Sequence, residues 1–267
     1  MAAGIAFIGG GNMATALIGG LVASGTDPRS IQVVEPFAPQ RERVWADHGV
    51  FATPAADSAV AKAALVIWAV KPQVFADAAA ACGTGLAGAL HLSVMAGVRS
   101  DTLARATGSE RVVRAMPNTP ALIGQGIAGL FAREAVSAAD RSRVEVVLRP
   151  TGATLWVAAE ADLDAVTAVS GSGPAYVLYL LEAMMAAGAS MGLPVDQARA
   201  LALATLSGTA EMARRSDVPP EVLRAQVTSK GGTTAAAIET LDRHTVKDTF
   251  MEAMRNARQR AAELGAA

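Results

Sequence analysis

The sequence predicts an α/β domain with a mostly parallel sheet, followed by an all-α domain. Three observations carry this. Short apolar runs alternate with turns and helical stretches up to about residue 160. A glycine cluster stands directly behind the first of those runs. After residue 160 the runs disappear and only helical patterns remain. The boundary is therefore placed to give residues 1–160 and 161–267, and a chain of 267 residues is long enough for two domains.

Ile5-Ala6-Phe7-Ile8 suits a strand buried on both faces. Gly9-Gly10-Gly11-Asn12-Met13-Ala14 follows at once, and then an apolar helix through Ala16, Leu17, Leu21 and Val22. Strand, glycine turn and helix form the context in which a G-x-G-x-x-A pattern points to a dinucleotide, as in a Rossmann domain. Gly9 would make the tight turn. Gly11 would let a pyrophosphate reach the helix N-terminus, and Ala14 would let the helix sit close to the strand.

Residues 31–35 form a second strand ending in Glu35, where a partner for a ribose hydroxyl is expected. A carboxylate there argues for NADH, whereas Arg41 and Arg43 would suit the 2′-phosphate of NADPH or simply face solvent. Residues 64–70 are a third strand, closed by Lys71-Pro72-Gln73, and residues 90–94 a fourth, followed by Met95-Ala96-Gly97. Ligands gather outside the carboxyl ends of parallel strands. Residues 9–13, Glu35, 70–72 and 95–97 would share that rim. A strand over 111–116 ends in Pro117-Asn118-Thr119-Pro120. Asn118 either donates to a nicotinamide carboxamide or caps the turn. Residues 126–131 and 153–157 read as the last strands, flanking a helix over 137–148.

Ser172 or Gly173 would cap a helix over 175–191 that starts with Pro174. That helix, and the next over 195–213, lack a polar face, which predicts a homo-oligomer sharing one core. A last helix over 244–264 carries alternating charges and would lie outermost. Between them runs Q-V-T-S-K-G-G-T-T-A-A-A-I-E-T-L-D over 226–242. Hydroxyl residues and paired glycines before a helix suit an anion held on free N–H groups. The plain alternative is a capped helix, with Thr228 or Ser229 as N-cap.

Composition removes other classes. Hydrophobic residues make up 52% of the chain, so a large core can be buried. A net charge of −1 gives no electrostatic case for nucleic acid or an anionic membrane. The single cysteine, Cys82, leaves no internal disulfide and no cysteine-cluster metal site, and suits a reducing cytoplasm. No signal peptide or membrane span is expected. His48, His91 and His244 are scattered, so each is expected to be structural or surface, and no metal is expected.

Five blocks of the chain resemble the pyrroline-5-carboxylate reductase family. They are residues 8–14, 69–73 (A-V-K-P-Q), 116–120 (M-P-N-T-P), 169–176 (V-S-G-S-G-P-A-Y) and 220–242. The first is shared with many dehydrogenases, while the last follows the family signature throughout. The resemblance implies a Rossmann domain, an all-helical C-terminal domain, and interleaved dimers that assemble further, up to a decamer. It implies reduction of (S)-1-pyrroline-5-carboxylate to L-proline by NADPH or NADH. Gly9, Gly10, Gly11, Asn12, Met13, Ala69, Val70, Lys71, Pro72, Met95, Ala96 and Gly97 would bind the dinucleotide. Ser229, Gly231, Gly232, Thr233 and Thr234 would hold the substrate. Many members have proline where this chain has Lys230, and lysine is also seen, so no direct role is expected of Lys230.

The chemistry agrees. A cyclic imine takes its proton from solvent near neutral pH, so no strong protein acid is needed. The Thr234 hydroxyl is the expected partner of the ring nitrogen. Two alternatives compete. A β-hydroxyacid dehydrogenase would need a catalytic lysine in the second domain, and residues 175–213 contain none. A non-enzymatic dinucleotide sensor would not need the anion-binding helix start.

Overall fold

A computed structural model describes residues 4–266, without the side chain of Thr84. Among the described residues eight strands form one sheet: β1 (Ile5–Ile8), β2 (Ile31–Val34), β3 (Ala52–Thr53), β4 (Leu65–Trp68), β5 (Leu90–Ser93), β6 (Val112–Met116), β7 (Gly126–Ala132) and β8 (Gly152–Trp156). Their order is β3-β2-β1-β4-β5-β6-β7-β8. Every pairing is parallel except β6 with β7. The order reverses between β1 and β4, so the connections leaving these two strands diverge and open a crevice at their carboxyl ends.

Side chains alternate across the sheet and build a core on each face. Phe7, Ile67 and Leu92 pack on one side with Leu17 and Ile18. Ile8, Val66 and Trp68 pack on the other with Phe75 and Leu103. The helices covering these faces are α1 (Asn12–Ala23), α2 (Ala38–His48), α3 (Phe75–Cys82), α4 (Ser100–Thr107) and α5 (Ala138–Leu148). Ser137 begins α5 with a capping box: its hydroxyl accepts the Asp140 N–H while the Asp140 carboxylate accepts the Ser137 N–H. The sheet carries one strand more than the sequence predicts, the two-residue edge strand β3.

Beyond β8 come α6 (Asp162–Val166), α7 (Gly173–Ser190), α8 (Val195–Arg214), α9 (Pro220–Gln226), α10 (Thr233–Arg243) and α11 (Val246–Ala266). The expectation that Ser172 or Gly173 caps a fresh helix is corrected. Residues Thr167–Gly171 form a π turn that carries α6 on toward α7, and the Ser172 N–H reaches back to the Thr167 carbonyl at 2.8 Å. Pro174 has no N–H to give to the helical ladder and its ring crowds the carbonyl four residues back, which favours a loosened turn here.

The chain divides into two compact units. One runs through Ser172 and takes in the chain again from Ala257, and the other is Gly173–Asn256. In the second unit α7 buries only Gly188, while Val177, Leu178, Tyr179 and Leu180 stand exposed in succession. Such a run of uncovered apolar side chains is what an oligomer core requires. Tyr176 packs edge-on against Phe250 of α11. Among the described residues no helix is long and apolar enough to cross a membrane.

Candidate active site

The glycine turn after β1 is fixed by crowding. Gly9 has φ +100°, and a Cβ there would lie 2.6 Å from the Ala69 carbonyl oxygen, so the position takes only glycine. Gly11 is the N-cap of α1 and offers no side chain to its N–H groups. The space where a Gly11 Cβ would stand is open to 4 Å. Ala14, in the first turn of α1, is fully buried, as close helix–sheet packing demands. An uncapped helix start with free space before it suits a pyrophosphate.

A cleft of about 620 Å³ lies at the divergence of β1 and β4. Of the residues expected to bind a dinucleotide, it brings together Gly9, Gly11, Glu35, Ala69, Val70 and Lys71. Gly10, Asn12, Met13 and Pro72 adjoin these in the chain without lining the cleft. Met95, Ala96, Gly97 and Asn118 follow β5 and β6, farther along the same sheet edge, and lie outside it. The Asn118 side-chain oxygen accepts the Ile127 N–H at 3.0 Å, so it ties the turn to β7.

Glu35 does more than face the cleft. Its Oε2 accepts the Gly10 N–H at 2.8 Å and its Oε1 accepts the Phe37 N–H at 2.9 Å. Arg41 folds back on the same turn, donating from Nη1 to the carbonyls of Glu35 and Pro36. Arg43 points along α2 and pairs with Asp47.

Sequence reasoning missed several wall residues of the cleft, including Phe37, Pro54, Val74 and Cys82. Pro54 escaped because it follows the short β3. Cys82 lies at the end of α3, where burial pushes its thiol up from the ordinary value. Also missed was a clamp behind the Met95–Gly97 loop. The Glu160 carboxylate accepts the Ser100 N–H at 2.7 Å and the Ser100 hydroxyl at 2.6 Å, and pairs with the buried Arg114 of β6. Burial raises the Glu160 carboxyl, but the bonds from Ser100 and Arg114 outweigh it and hold the group below its usual range. Arg99 adds a 3.2 Å bond to Asp164 and reaches the Gly265 carbonyl at the end of α11. The last helix is therefore not exposed along its whole length, because its final turn lies against the loop after β5.

The second unit contains the other glycine pair. Gly231 turns with φ +73°. The Gly232 N–H bonds to the Ser229 carbonyl at 3.0 Å, and a Cβ on Gly232 would lie 2.6 Å from the Ser229 hydroxyl. The N-cap of α10 is Gly232 and not Thr228 or Ser229, because Thr228 instead donates its hydroxyl to the Arg224 carbonyl. With no side-chain cap, the first N–H groups of α10, on Thr233 and Thr234, face outward at the positive end of the helix. Lys230 is exposed, and Thr234 is half-buried. Among the described residues no group of three or more His, Cys, Asp or Glu side chains could hold a metal ion.

A parallel sheet with a glycine turn at its switch point, a cleft sized for a nucleotide, and a helical unit carrying an uncapped helix start define an NAD(P)H-dependent oxidoreductase. Residues 4–97 match a family model described as NADP oxidoreductase coenzyme F420-dependent, and residues 160–264 match one for pyrroline-5-carboxylate reductase dimerisation. A pyrroline-5-carboxylate reductase of Pseudomonas aeruginosa is 43% identical over 97% of this chain and 96% of that protein. One from Synechocystis is 36% identical over 98% of both. The solved structure of a pyrroline-5-carboxylate reductase from Coxiella burnetii superposes with a TM-score of 0.92 at 34% identity, covering 99% of each chain. That of the Plasmodium falciparum pyrroline carboxylate reductase, with NADP bound, gives 0.88 at 27% identity, covering 99% of this chain and 98% of that one. The chain belongs to the pyrroline-5-carboxylate reductase family.

Proposed function

We propose that this chain reduces (S)-1-pyrroline-5-carboxylate to L-proline with NADPH or NADH. The observation that carries the reading is the uncapped start of α10, where two glycines leave backbone N–H groups free for the substrate carboxylate. Residues 1–160 serve as the dinucleotide-binding domain. Residues 161–267 bind substrate and form the dimer, with assembly to a decamer as the larger state. The enzyme works in the cytoplasm.

Bound NAD(P)H supplies the hydride. Gly9, Gly10, Gly11, Asn12 and Met13 would hold its pyrophosphate, Glu35 would meet the adenosine ribose, and residues 69–72, 95–97 and Asn118 would bind the rest of it. Ser229, Gly231, Gly232, Thr233 and Thr234 hold the carboxylate and ring of the substrate. The imine nitrogen arrives protonated from solvent, which makes its carbon electrophilic. Hydride adds to that carbon, the C=N π pair becomes the amine lone pair, and the product is the secondary amine. Thr234 accepts a hydrogen bond from the ring N–H and keeps the ring in register. The protein's share of the catalysis is thus positioning, which explains a site without a His, Asp or Lys acid.

The test is consumption of reduced nicotinamide with pyrroline-5-carboxylate, with 3-hydroxyacids, and with no substrate. Turnover is expected only with the cyclic imine. Activity confined to hydroxyacids would overturn the reading.

A further inference from the structure

We propose that Glu160 is a positioning residue for the hydride donor: through Ser100 it fixes loop 95–97, on which the nicotinamide end of the dinucleotide rests. The proposal rests on the reductase reading above.

The sheet order puts this loop at the far end of the dinucleotide. Glu35 follows β2, the glycine turn follows β1, and β4 and β5 come next. From β2 to β5 is three strand spacings, about 14 Å. With the adenosine ribose at Glu35 and the pyrophosphate at the start of α1, the nicotinamide extends toward the loop after β5. Hydride transfer tolerates little error in where that ring lies. What holds the loop therefore bears on the rate. The loop is tied at both ends. At its entry the Ser93 hydroxyl accepts the Met95 N–H at 3.2 Å. At its exit Arg99, the N-cap of α4, supplies no side-chain cap. Glu160 takes that place from 60 positions further along the chain, accepting the Ser100 N–H and hydroxyl. A carboxylate there also meets the positive end of α4.

Glu160 is itself held from the sheet. Arg114 of β6 stands beside Ser93 in the β5–β6 register. It donates from Nη1 to Glu160 Oε1 at 2.7 Å. Arg114 is buried, and its Nε has no hydrogen-bond partner among the described residues. Separating a buried cation from its carboxylate is costly, so Arg114 keeps Glu160 in place. Ser93 and Ser100, at the two ends of the loop, are thereby referred to one point of the sheet. Glu160 faces a cavity of about 570 Å³ apart from the dinucleotide cleft, together with Ser100, Glu110 and Arg133. It acts through Ser100, whose hydroxyl also lies 3.4 Å from Arg133 Nη1.

The experiment separates positioning from plain stability, using the full chain. Glu160→Leu combined with Arg114→Met leaves no buried charge unpaired and should unfold at about the wild-type temperature. Ser100 nonetheless loses its anchor. The double variant should bind ADP, which lacks the nicotinamide half, as tightly as the wild type. It should bind NADH and NADPH several-fold more weakly and lose ~10-fold or more in kcat. Glu160→Gln keeps an oxygen for the Ser100 N–H and should recover part of the rate. Ser100→Ala removes only the hydroxyl bonds and should show the same split in smaller measure. Wild-type kcat and dinucleotide affinity in the double variant, or equal losses for ADP and the dinucleotides, would overturn the proposal. Should the double variant not fold, Ser100→Ala decides, and wild-type kcat and dinucleotide affinity there would overturn it. Turnover of pyrroline-5-carboxylate by the wild type is measured alongside. Its absence would overturn the reductase reading, while the binding measurements would still decide the role of Glu160.

Discussion

Trp68 donates its indole N–H to Nδ1 of His91 at 3.0 Å, and both side chains are wholly buried in the sheet. The other ring nitrogen of His91 lies 3.0 Å from the Leu86 carbonyl. Nε2 therefore carries the proton, Nδ1 accepts, and the imidazole is neutral. Burial lowers its pKa to about 4 from 6.5; the Leu86 carbonyl opposes the shift and the charge of Arg111 adds to it. The unfolded chain takes up this proton below pH 6.5 and the folded chain does not. The contribution to stability is thus complete above 6.5 and is lost as pH falls through about 4. Between pH 7 and pH 5 the wild type should lose about 2 kcal/mol on this account. His91→Gln, which can make both bonds without titrating, should flatten that slope. Denaturant unfolding at the two pH values, at one fixed protein concentration, measures it.

Thr234 tests the chemistry. Thr234→Ala should lower kcat by ~10-fold or more while leaving dinucleotide affinity intact. Thr234→Ser should restore part of the rate. Steady-state kinetics beside a binding titration separates the two effects, and unchanged turnover would remove Thr234 from the mechanism.

Thr245 follows the C-cap of α10 with φ +50°, the only positive φ of a non-glycine residue among those described. A β-branched side chain is strained there, and glycine is the usual occupant of this helix-ending position. Thr245→Gly should raise stability by about 1 kcal/mol, visible as a higher melting temperature.

Cys82 is the sole cysteine, half-buried, and part of the cleft wall. Its raised thiol pKa means slow alkylation at neutral pH. Saturating dinucleotide should slow it several-fold further, and the rate with a maleimide reagent at graded concentrations should report the dissociation constant. A rate indifferent to dinucleotide would separate this wall from the bound molecule.

The parallel strands were legible because strands buried on both faces are written as unbroken apolar runs, Leu65–Trp68 being the clearest. Ala52–Thr53 was not, since two residues carry no period. The π turn at Thr167–Gly171 was misread because Ser, Gly and Pro in sequence look like a cap, and helical periodicity does not register one inserted residue. Glu35 was placed correctly at the end of its strand, yet its bonds to Gly10 and Phe37 depend on a side-chain direction that no spacing encodes. The same holds for Glu160, whose partner Ser100 lies 60 positions earlier. Gly231 and Gly232 announced a helix start, but which residue caps it was settled by Thr228 bonding backward to Arg224.

Helix α11 begins in one compact unit and ends in the other. Its final turn lies on Gly97, where a Cβ would come within 3.2 Å of the Leu264 carbonyl oxygen, and it takes a bond from Arg99. The sheet-bearing unit is thus discontinuous in the chain. During synthesis the loop after β5 leaves the ribosome long before the segment that packs on it, and the whole helical unit must be made in between. A fragment ending at residue 160 would lack that packing. The two halves divided by sequence motif do not coincide with the two compact units, since the first unit draws its last segment from the end of the chain.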